Sequence, residues 1–294
     1  MFRRLRVRSA MILCGLLMTA AAPAGADVTL GAPALAEIGQ PFVVTVEVAG
    51  EEISDLRLSW QGHESLLSPE EAEGGQRYSV LAGTDLKNAR PGPNPLTVSF
   101  SAGGKREKIE HLIKLSPRKY PVEKLTVAPS KATPPKELSE RIAREAKLGR
   151  AAMQSNSAGG APKLPLVRPV PGGFSSVYGK SRYFNGEFRG RHGGVDMRAK
   201  EGTPVKAAAK GSVTGVRSDA LWGYVVEITH PDGTLSSYCG LAKQPQVKKG
   251  DDVALGQVIG AVGYLPAESL MPSHLHFECR RDGKYVDPMS LIGK

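Results

Sequence analysis

The sequence is poor in cysteine and in long apolar runs, and each shortage excludes a class of protein. Three cysteines among 294 residues are too few for a small scaffold held together by disulfides. Beyond the N-terminal segment no stretch reaches about 18 continuous apolar residues, so we expect no stable membrane span in the mature chain. An apolar fraction of 40% argues against wholesale disorder and supports one or two folded domains.

Residues 1–26 have the pattern of a secretory signal peptide. Four arginines precede an apolar stretch from Met11 to Ala22, and Ala24-Gly25-Ala26 supplies the small residues of a cleavage site before Asp27. We therefore predict an exported protein, periplasmic or extracellular, with an N-terminal membrane anchor as the alternative. Without the four arginines of the signal, the formal net charge of +10 falls to +6.

Residues 27–116 are predicted to form a β-sandwich of immunoglobulin-like shape. Three segments alternate apolar and polar residues with the period of a half-buried strand: Phe42–Val48, Leu56–Trp60 and Leu96–Phe100. Gly103-Gly104 then predicts a hairpin into Ile109–Leu115. No residue spacing in this region suggests catalysis, and its isolated histidines, His63 and His111, are interpreted as surface or structural residues.

Residues 117–163 are predicted to be a linker, helical at first and flexible at its end. Thr133-Pro134-Pro135 has the pattern of a helix start, and Leu138, Ile142 and Ala146 share one face of the helix that follows. The stretch 155–163 is rich in Ser, Gly and Ala. From residue 164 to 294, short strand-like segments separated by glycines predict a second β domain, which makes the whole chain mainly β.

Four of the six histidines lie in this second domain, and three of them suggest a metal site. His192 and Asp196 have H-x3-D spacing, while His274 and His276 form H-x-H in a strand-like run. Because a strand has period two, both histidines of that run face the same side. Two imidazoles and one carboxylate suit Zn2+ with a position left for water. Histidines scattered over the surface are the alternative interpretation.

The same residues lie in longer motifs that resemble the lysostaphin/LytM-type zinc endopeptidases of peptidoglycan. The matching segments are RHGGVDMRAKEGTPVKAAAKGSV (191–213), VKKGDDVALGQVIGAVG (247–263) and SHLHFECRRDGKYVDP (273–288). The resemblance implies a β-rich domain with a sheet-lined groove. It also implies zinc held by His192, Asp196 and His276, with His274 acting on the water or the oxyanion.

Two segments depart from the family pattern. A second non-ligand histidine is expected in a Tyr-x-His-Leu run, but the chain reads Tyr238-Cys239-Gly240-Leu241. Glycine offers no side chain for proton transfer, Cys239 is expected to point to the opposite face, and His230 is too far along the chain to be its obvious replacement. The loop at 264–272 is also bulkier than the Gly/Ser/Thr-rich loop of the family.

The sequence thus predicts a zinc-dependent endopeptidase that hydrolyses peptide cross-links of peptidoglycan during wall remodelling. The alternative is a catalytically degenerate zinc-binding protein that binds the wall or activates another wall hydrolase. The segment 247–263 also resembles the barrel repeats of lipoyl carriers, but Lys248 and Lys249 do not occupy a tight hairpin. The positive charge fits an acidic cell wall, and no nucleic-acid recognition motif accompanies it. Whether Cys239 and Cys279 pair is left open.

Overall fold

The computed structural model describes residues 15–21, 26–72, 75–128, 135–152, 158–160, 163–264 and 273–293. The predicted signal peptide lies mostly outside these residues. Its described part, Gly15–Ala21, is a strand that pairs antiparallel with Ala26–Pro33. Cleavage before Asp27 would therefore remove this edge strand, and the signal peptide itself stays a prediction.

The N-terminal region consists of two sheets. Its strands are β1 (Gly15–Ala21), β2 (Ala26–Pro33), β3 (Leu35–Glu37), β4 (Pro41–Gly50), β5 (Ser54–Trp60), β6 (His63–Leu67), β7 (Glu70–Ala72), β8 (Gly75–Gly83), β9 (Gly92–Ala102) and β10 (Lys105–Ser116). One sheet has the order β1-β2-β4-β8-β7, and β6-β5-β9-β10-β3 forms most of the other.

Period-two alternation explains why these segments form strands and what they bury. In β4 the residues Val44, Val46 and Val48 are buried while their neighbours are more exposed, and β9 alternates in the same way. Inward side chains of the two sheets share one apolar core. The three alternating segments and the hairpin at Gly103-Gly104 are therefore confirmed.

The region predicted as a linker contains the predicted helix and two short strands. It contains β11 (Val122–Leu125), the helix α1 (Lys136–Ala152) and β12 (Ala158–Gly159). Leu138 and Ile142 lie half-buried on one face of α1, as predicted. β11 pairs with a strand of the C-terminal domain and β12 pairs with β6. Backbone hydrogen bonds therefore connect this region to both the N-terminal and the C-terminal β regions.

The C-terminal region is again almost entirely β. Its strands are β13 (Phe174–Ser176), β14 (Ser181–Phe184), β15 (Glu187–Arg191), β16 (Val195–Arg198), β17 (Pro204–Lys206), β18 (Gly211–Asp219), β19 (Gly223–Thr229), β20 (Leu235–Leu241), β21 (Asp252–Val253), β22 (Val258–Ala261), β23 (His274–Arg281) and β24 (Lys284–Val286). A 3-10 turn, Pro288–Ser290, begins at Asp287, whose side chain accepts a hydrogen bond from the Met289 amide.

The main sheet of this region has the order β13-β16-β23-β20-β19-β18-β21. Its two faces differ, because alternate residues of β23 point in opposite directions. Leu275, Phe277 and Cys279 enter the apolar core. The residues between them, all of them polar, lie on the other face, and this alternation places the candidate site on the sheet.

The two β regions share buried contacts. Leu81 and Leu86 of the N-terminal region belong to the same core cluster as Tyr178 and Val286. The fully buried Arg281 donates hydrogen bonds to the Asp232 carbonyl at 2.6 Å and to the Ser65 hydroxyl at 3.3 Å, the second of which crosses to the N-terminal region. In the described part of the chain, no helix has the length and apolarity that a membrane span requires.

Candidate metal centre

Three side chains from separate parts of the main sheet and its approach converge on one point. Asp196 on β16 and His276 on β23 are register partners in adjacent strands, while His192 follows the end of β15. His192 Nε2, Asp196 Oδ1 and His276 Nδ1 are 2.8–3.1 Å from one another. The structure thus brings together the three residues that the sequence predicted as ligands.

The spacing and chemistry of these atoms fit a small divalent cation. Ligand atoms of a tetrahedral zinc site, each about 2.0–2.1 Å from the metal, are about 3.3 Å apart. His192 Nδ1 lies 2.9 Å from the Val177 carbonyl, which can only accept, so Nδ1 carries the proton and Nε2 offers a lone pair. His276 Nε2 lies 2.9 Å from the Glu278 carboxylate, which leaves Nδ1 facing the cluster.

The protonation of the cluster reflects the crowding of these groups. Burial alone would raise the pKa of Asp196, yet contacts with three imidazoles hold the pKa of this carboxyl well below its usual range. Burial also disfavours a charged His276, but the carboxylates of Asp196 and Glu278 outweigh it and raise the pKa of this imidazole to about 9. A proton and a metal ion therefore compete for the same His276 nitrogen.

His274 lies beside the three predicted ligands but is farther from Asp196 than His192 and His276 are. Its Nε2 is 3.4 Å from Asp196 Oδ1, and its side chain is almost fully buried. It also lines an open cavity on the outer side of the sheet. The period-two expectation that His274 and His276 share a face is confirmed, because both side chains approach the same carboxylate.

Two further residues shape the surroundings of His276. The Trp222 ring stacks on the His276 imidazole, with centroids 4.4 Å apart and planes at 28°. Glu278 binds His276 on one side and Arg280 Nη2 at 2.9 Å on the other, and the Arg280 guanidinium lies over the Tyr285 ring. Burial opposes ionisation of Glu278, but Arg280 and His276 lower the pKa of its carboxyl.

These neighbours were not identified from the sequence. Glu278 follows His276 by two residues on the same strand, so period-two alternation was a signal that could have placed it against the site. Trp222 lies in the turn between β18 and β19, distant in sequence from every histidine of the cluster, and local pattern gave no signal for it. Partners of this kind orient metal-ligating histidines and tune their basicity.

Gly240 lies in an irregular part of β20. Tyr224 pairs with Leu241 and Val225 pairs with Cys239, so Gly240 is an extra residue that interrupts the pairing of β19 with β20. Its φ is +90°, in the region that favours glycine. A histidine placed there would strain the backbone, so the departure from the family pattern involves the main chain as well as the side chain.

Cys239 contradicts its predicted orientation. It is the register partner of His276, and it lines a cavity with Trp222 and Glu278; it therefore lies on the same face as the site. The regular alternation assumed for β20 fails next to the bulge. Cys279 lies opposite Ser236, on the core side, and both cysteines are free and buried.

The remaining histidines of the chain have structural roles in this fold. His230 is buried, and its two ring nitrogens lie 2.8 Å from the Lys210 carbonyl and 2.8 Å from the Ser236 hydroxyl. It does not join the cluster and does not replace the missing histidine. His111 is buried with its Nε2 3.1 Å from the Pro33 carbonyl, which agrees with the structural alternative, and His63 lies 3.2 Å from Asp282.

A cavity of about 340 Å3 extends from Trp222 and Glu278 towards the N-terminal region. Helix α1 closes one side of it with Ile142 and Glu145, and the Glu145 carboxylate accepts a hydrogen bond of 2.8 Å from the Ala220 amide. The cavity also meets Asp85 of the sandwich. All three parts of the chain therefore meet next to the metal centre.

The fold and the cluster together define a β-sheet domain with a His/Asp/His site of the kind found in metallopeptidases. Residues 190–288 match the model of Peptidase family M23, which agrees with the resemblance found in the sequence. A crystal structure from Pseudomonas aeruginosa assigned to peptidase M23 has a TM-score of 0.62 and 27% identity to the chain. That match covers 87% of this chain and 95% of the other.

Two curated relatives are similar to part of the chain. Murein hydrolase activator EnvC of Escherichia coli is 38% identical over 137 residues, which are 46% of this chain and 30% of the relative. DD-carboxypeptidase/endopeptidase Mpg of Neisseria meningitidis serogroup B is 38% identical over 100 residues, which are 34% of this chain and 22% of the relative. The chain thus spans less than a third of the length of either relative.

Proposed function

We propose that the chain is a zinc-dependent endopeptidase that hydrolyses peptide cross-links of peptidoglycan in cell-wall remodelling. The observation that carries the proposal is the convergence of His192 Nε2, Asp196 Oδ1 and His276 Nδ1 within 3.1 Å of one another. Both imidazoles have their other nitrogen engaged by an acceptor. Similarity to a relative named as a carboxypeptidase/endopeptidase supports the reaction class.

Each residue of the site has a role in this proposal. His192, Asp196 and His276 hold Zn2+, which when bound polarises a carbonyl and lowers the pKa of a coordinated water to about 7. Glu278 and the Val177 carbonyl orient the two ligating imidazoles. His274, beside the cluster and facing the open cavity, donates a hydrogen bond to the developing oxyanion or carries a proton to the leaving amine.

The partner and location follow from the same proposal. Peptidoglycan is outside the cytoplasmic membrane, so a chain that cuts it needs export, which agrees with the predicted signal peptide at residues 1–26. The formal net charge of +6 that remains without the four arginines of the signal favours association with an acidic wall polymer. We therefore expect a periplasmic or extracellular protein.

The test is digestion of purified sacculi by the zinc-loaded chain, with His192→Ala as the metal-ligand control. We expect release of soluble muropeptides by the unmodified chain and none above background by the control. His274→Ala keeps all three ligands, so it should bind zinc normally while losing about 10²- to 10⁴-fold in rate. A zinc-loaded chain that releases no more than His192→Ala would refute the catalytic proposal.

A second candidate function is a non-catalytic wall-binding protein that activates another wall hydrolase. Gly240 favours it, because this residue offers no acid, base or hydrogen-bond donor in its side chain and its φ of +90° disfavours a histidine. Similarity to a relative named as a murein hydrolase activator also supports it. In this candidate the metal residues maintain the shape of the groove for a partner.

One set of samples separates the two candidates. Co-sedimentation with sacculi without muropeptide release, together with faster release when a second wall hydrolase is added, favours the activator. Release by the chain alone, lost in His274→Ala, favours the endopeptidase. Gly240→His does not separate them, since a failure to gain activity follows equally from backbone strain at this bulge.

A further inference from the structure

An open cavity of about 550 Å3 adjoins His274 at the end of the metal centre opposite Glu278. The polar side chains that line it are Ser175, Arg198, Lys200, Thr203, Ser273 and His274. Two of these are permanent cations, three are hydroxyl groups, and none of the described lining residues is a carboxylate. The cavity therefore offers an anion both positive charge and hydrogen-bond donors.

Arg198 is placed next to the reacting end of the site by strand pairing. It is the register partner of His274 in the adjacent strands β16 and β23. Side chains of directly opposed residues point to the same face, with Cβ atoms about 5 Å apart. Arg198 is also two residues from Asp196 on its own strand, so it shares a face with that ligand as well.

Arg198 has no ion-pair or hydrogen-bond partner for its side chain among the described residues, whereas other arginines of this domain do. Arg182 is paired with Glu123, and Arg217 with Glu227. Arg198 is exposed to solvent beside the cavity. A third cation, Arg168, donates a 3.1 Å hydrogen bond from its Nη1 to the carbonyl of Gly172, a residue that lines the cavity.

We propose that Arg198, assisted by Lys200, binds a free carboxylate of the peptide substrate within one or two residues of the scissile amide. The chain would accordingly prefer peptides that carry such a carboxylate over the same peptides as amides. This inference rests on the proposed function, because it assumes that a peptide lies along the groove past His274.

The reach and the chemistry of the groups agree with this assignment. An extended peptide advances about 3.3–3.6 Å per residue, so a scissile amide beside His274 brings the next residues alongside Arg198. The planar guanidinium matches a carboxylate with two parallel hydrogen bonds. Lys200 and the hydroxyl of Thr203, which also line the cavity, add donors.

The experiment measures binding rather than turnover. Isothermal titration of the zinc-loaded full chain uses an N-acetylated peptide ending in D-Ala-D-Ala with a free carboxylate, and the same peptide as its C-terminal amide. We expect about tenfold tighter binding of the free carboxylate, the lower range for a charge-assisted hydrogen bond. Arg198→Ala should remove this preference and leave the affinity for the amide unchanged within about twofold.

Two further variants control the result. Arg198→Lys keeps the charge but not the paired donors, so it should retain part of the preference. Arg90→Ala removes an exposed arginine of the sandwich and should retain all of it. A preference that survives Arg198→Ala would overturn the proposal, because the carboxylate would then bind elsewhere, for example on the metal.

Inorganic phosphate distinguishes a peptide-carboxylate site from a general anion site. If phosphate binds through Arg198 while the unmodified chain does not distinguish the two peptides, the proposal is refuted. The result is independent of the proposed catalysis. A carboxylate preference without sacculus digestion supports the binding site and refutes the endopeptidase. Digestion without the carboxylate preference supports the endopeptidase and refutes the binding site.

Discussion

The sandwich and the metal domain are built from the same kind of strand but bury different side chains. The two sandwich sheets share an apolar core, and the buried polar residues of this region include no carboxylate, Lys or Arg among the described residues. In the metal domain one face of the main sheet packs into an apolar core, while the other face buries charged and titratable residues, among them Asp196, Glu227 and His276. Burying a charged side chain lowers stability unless the charge is paired. The polar face of this sheet is therefore where burial of charge is explained by the candidate metal site.

The largest effect should come from removing one ligand of the cluster. Asp196→Asn keeps the size of the side chain but removes the anionic ligand, so we expect bound zinc to fall from about one per chain to near zero. Metal content after gel filtration measures this. Glu110→Gln, an exposed carboxylate of the sandwich, is the control and should keep its zinc; equal zinc in both variants would contradict the assigned ligand set.

Truncating the sandwich core should lower stability without affecting the metal. Leu96 is fully buried in the core, and Leu96→Ala should reduce the free energy of unfolding by about 2–5 kcal/mol. Urea denaturation of the metal-free chain measures it. Leu112→Ala makes the same deletion at an exposed position and should change stability little. Loss of zinc affinity in folded Leu96→Ala would show that the two regions are coupled.

A smaller effect is expected from the residue that orients His276. Glu278→Gln can still accept the proton of His276 Nε2 but loses the charge that raises the basicity of the imidazole. Zinc affinity should fall about 10- to 100-fold, as measured by competition with a chelator. Glu187→Gln, at an exposed carboxylate of the same domain, should have no effect. An unchanged affinity in Glu278→Gln would leave Glu278 with a packing role only.

The smallest expected effect is the pH dependence of zinc affinity. The pKa of His276 is raised to about 9, so at pH 7 the imidazole carries a proton that must leave before a metal binds. Zinc affinity should therefore rise by up to about tenfold per pH unit from pH 7 to 9 and level off above it. Chelator competition at fixed ionic strength follows this change. A flat profile over that range would contradict the role of the His276 proton.

Much of the fold followed from local patterns, and the candidate site followed in part. The alternation at Phe42–Val48 and Leu96–Phe100 predicted strands and their buried faces, since period two is a property of the chain itself. The shared face of His274 and His276 followed for the same reason. The predicted orientation of Cys239 was wrong, because the bulge at Gly240 interrupts the alternation of β20. No local sequence pattern indicated that bulge.

By itself, the sequence determined many of the strands and their apolar faces, and which four side chains have the chemistry of a metal centre. Only the tertiary structure decided that β16 pairs with β23, so that Asp196 meets His276 and Arg198 lies opposite His274, and that Trp222 stacks on the His276 imidazole. Strand alternation depends on neighbouring residues, whereas register and pairing depend on burying apolar faces between segments far apart in the chain.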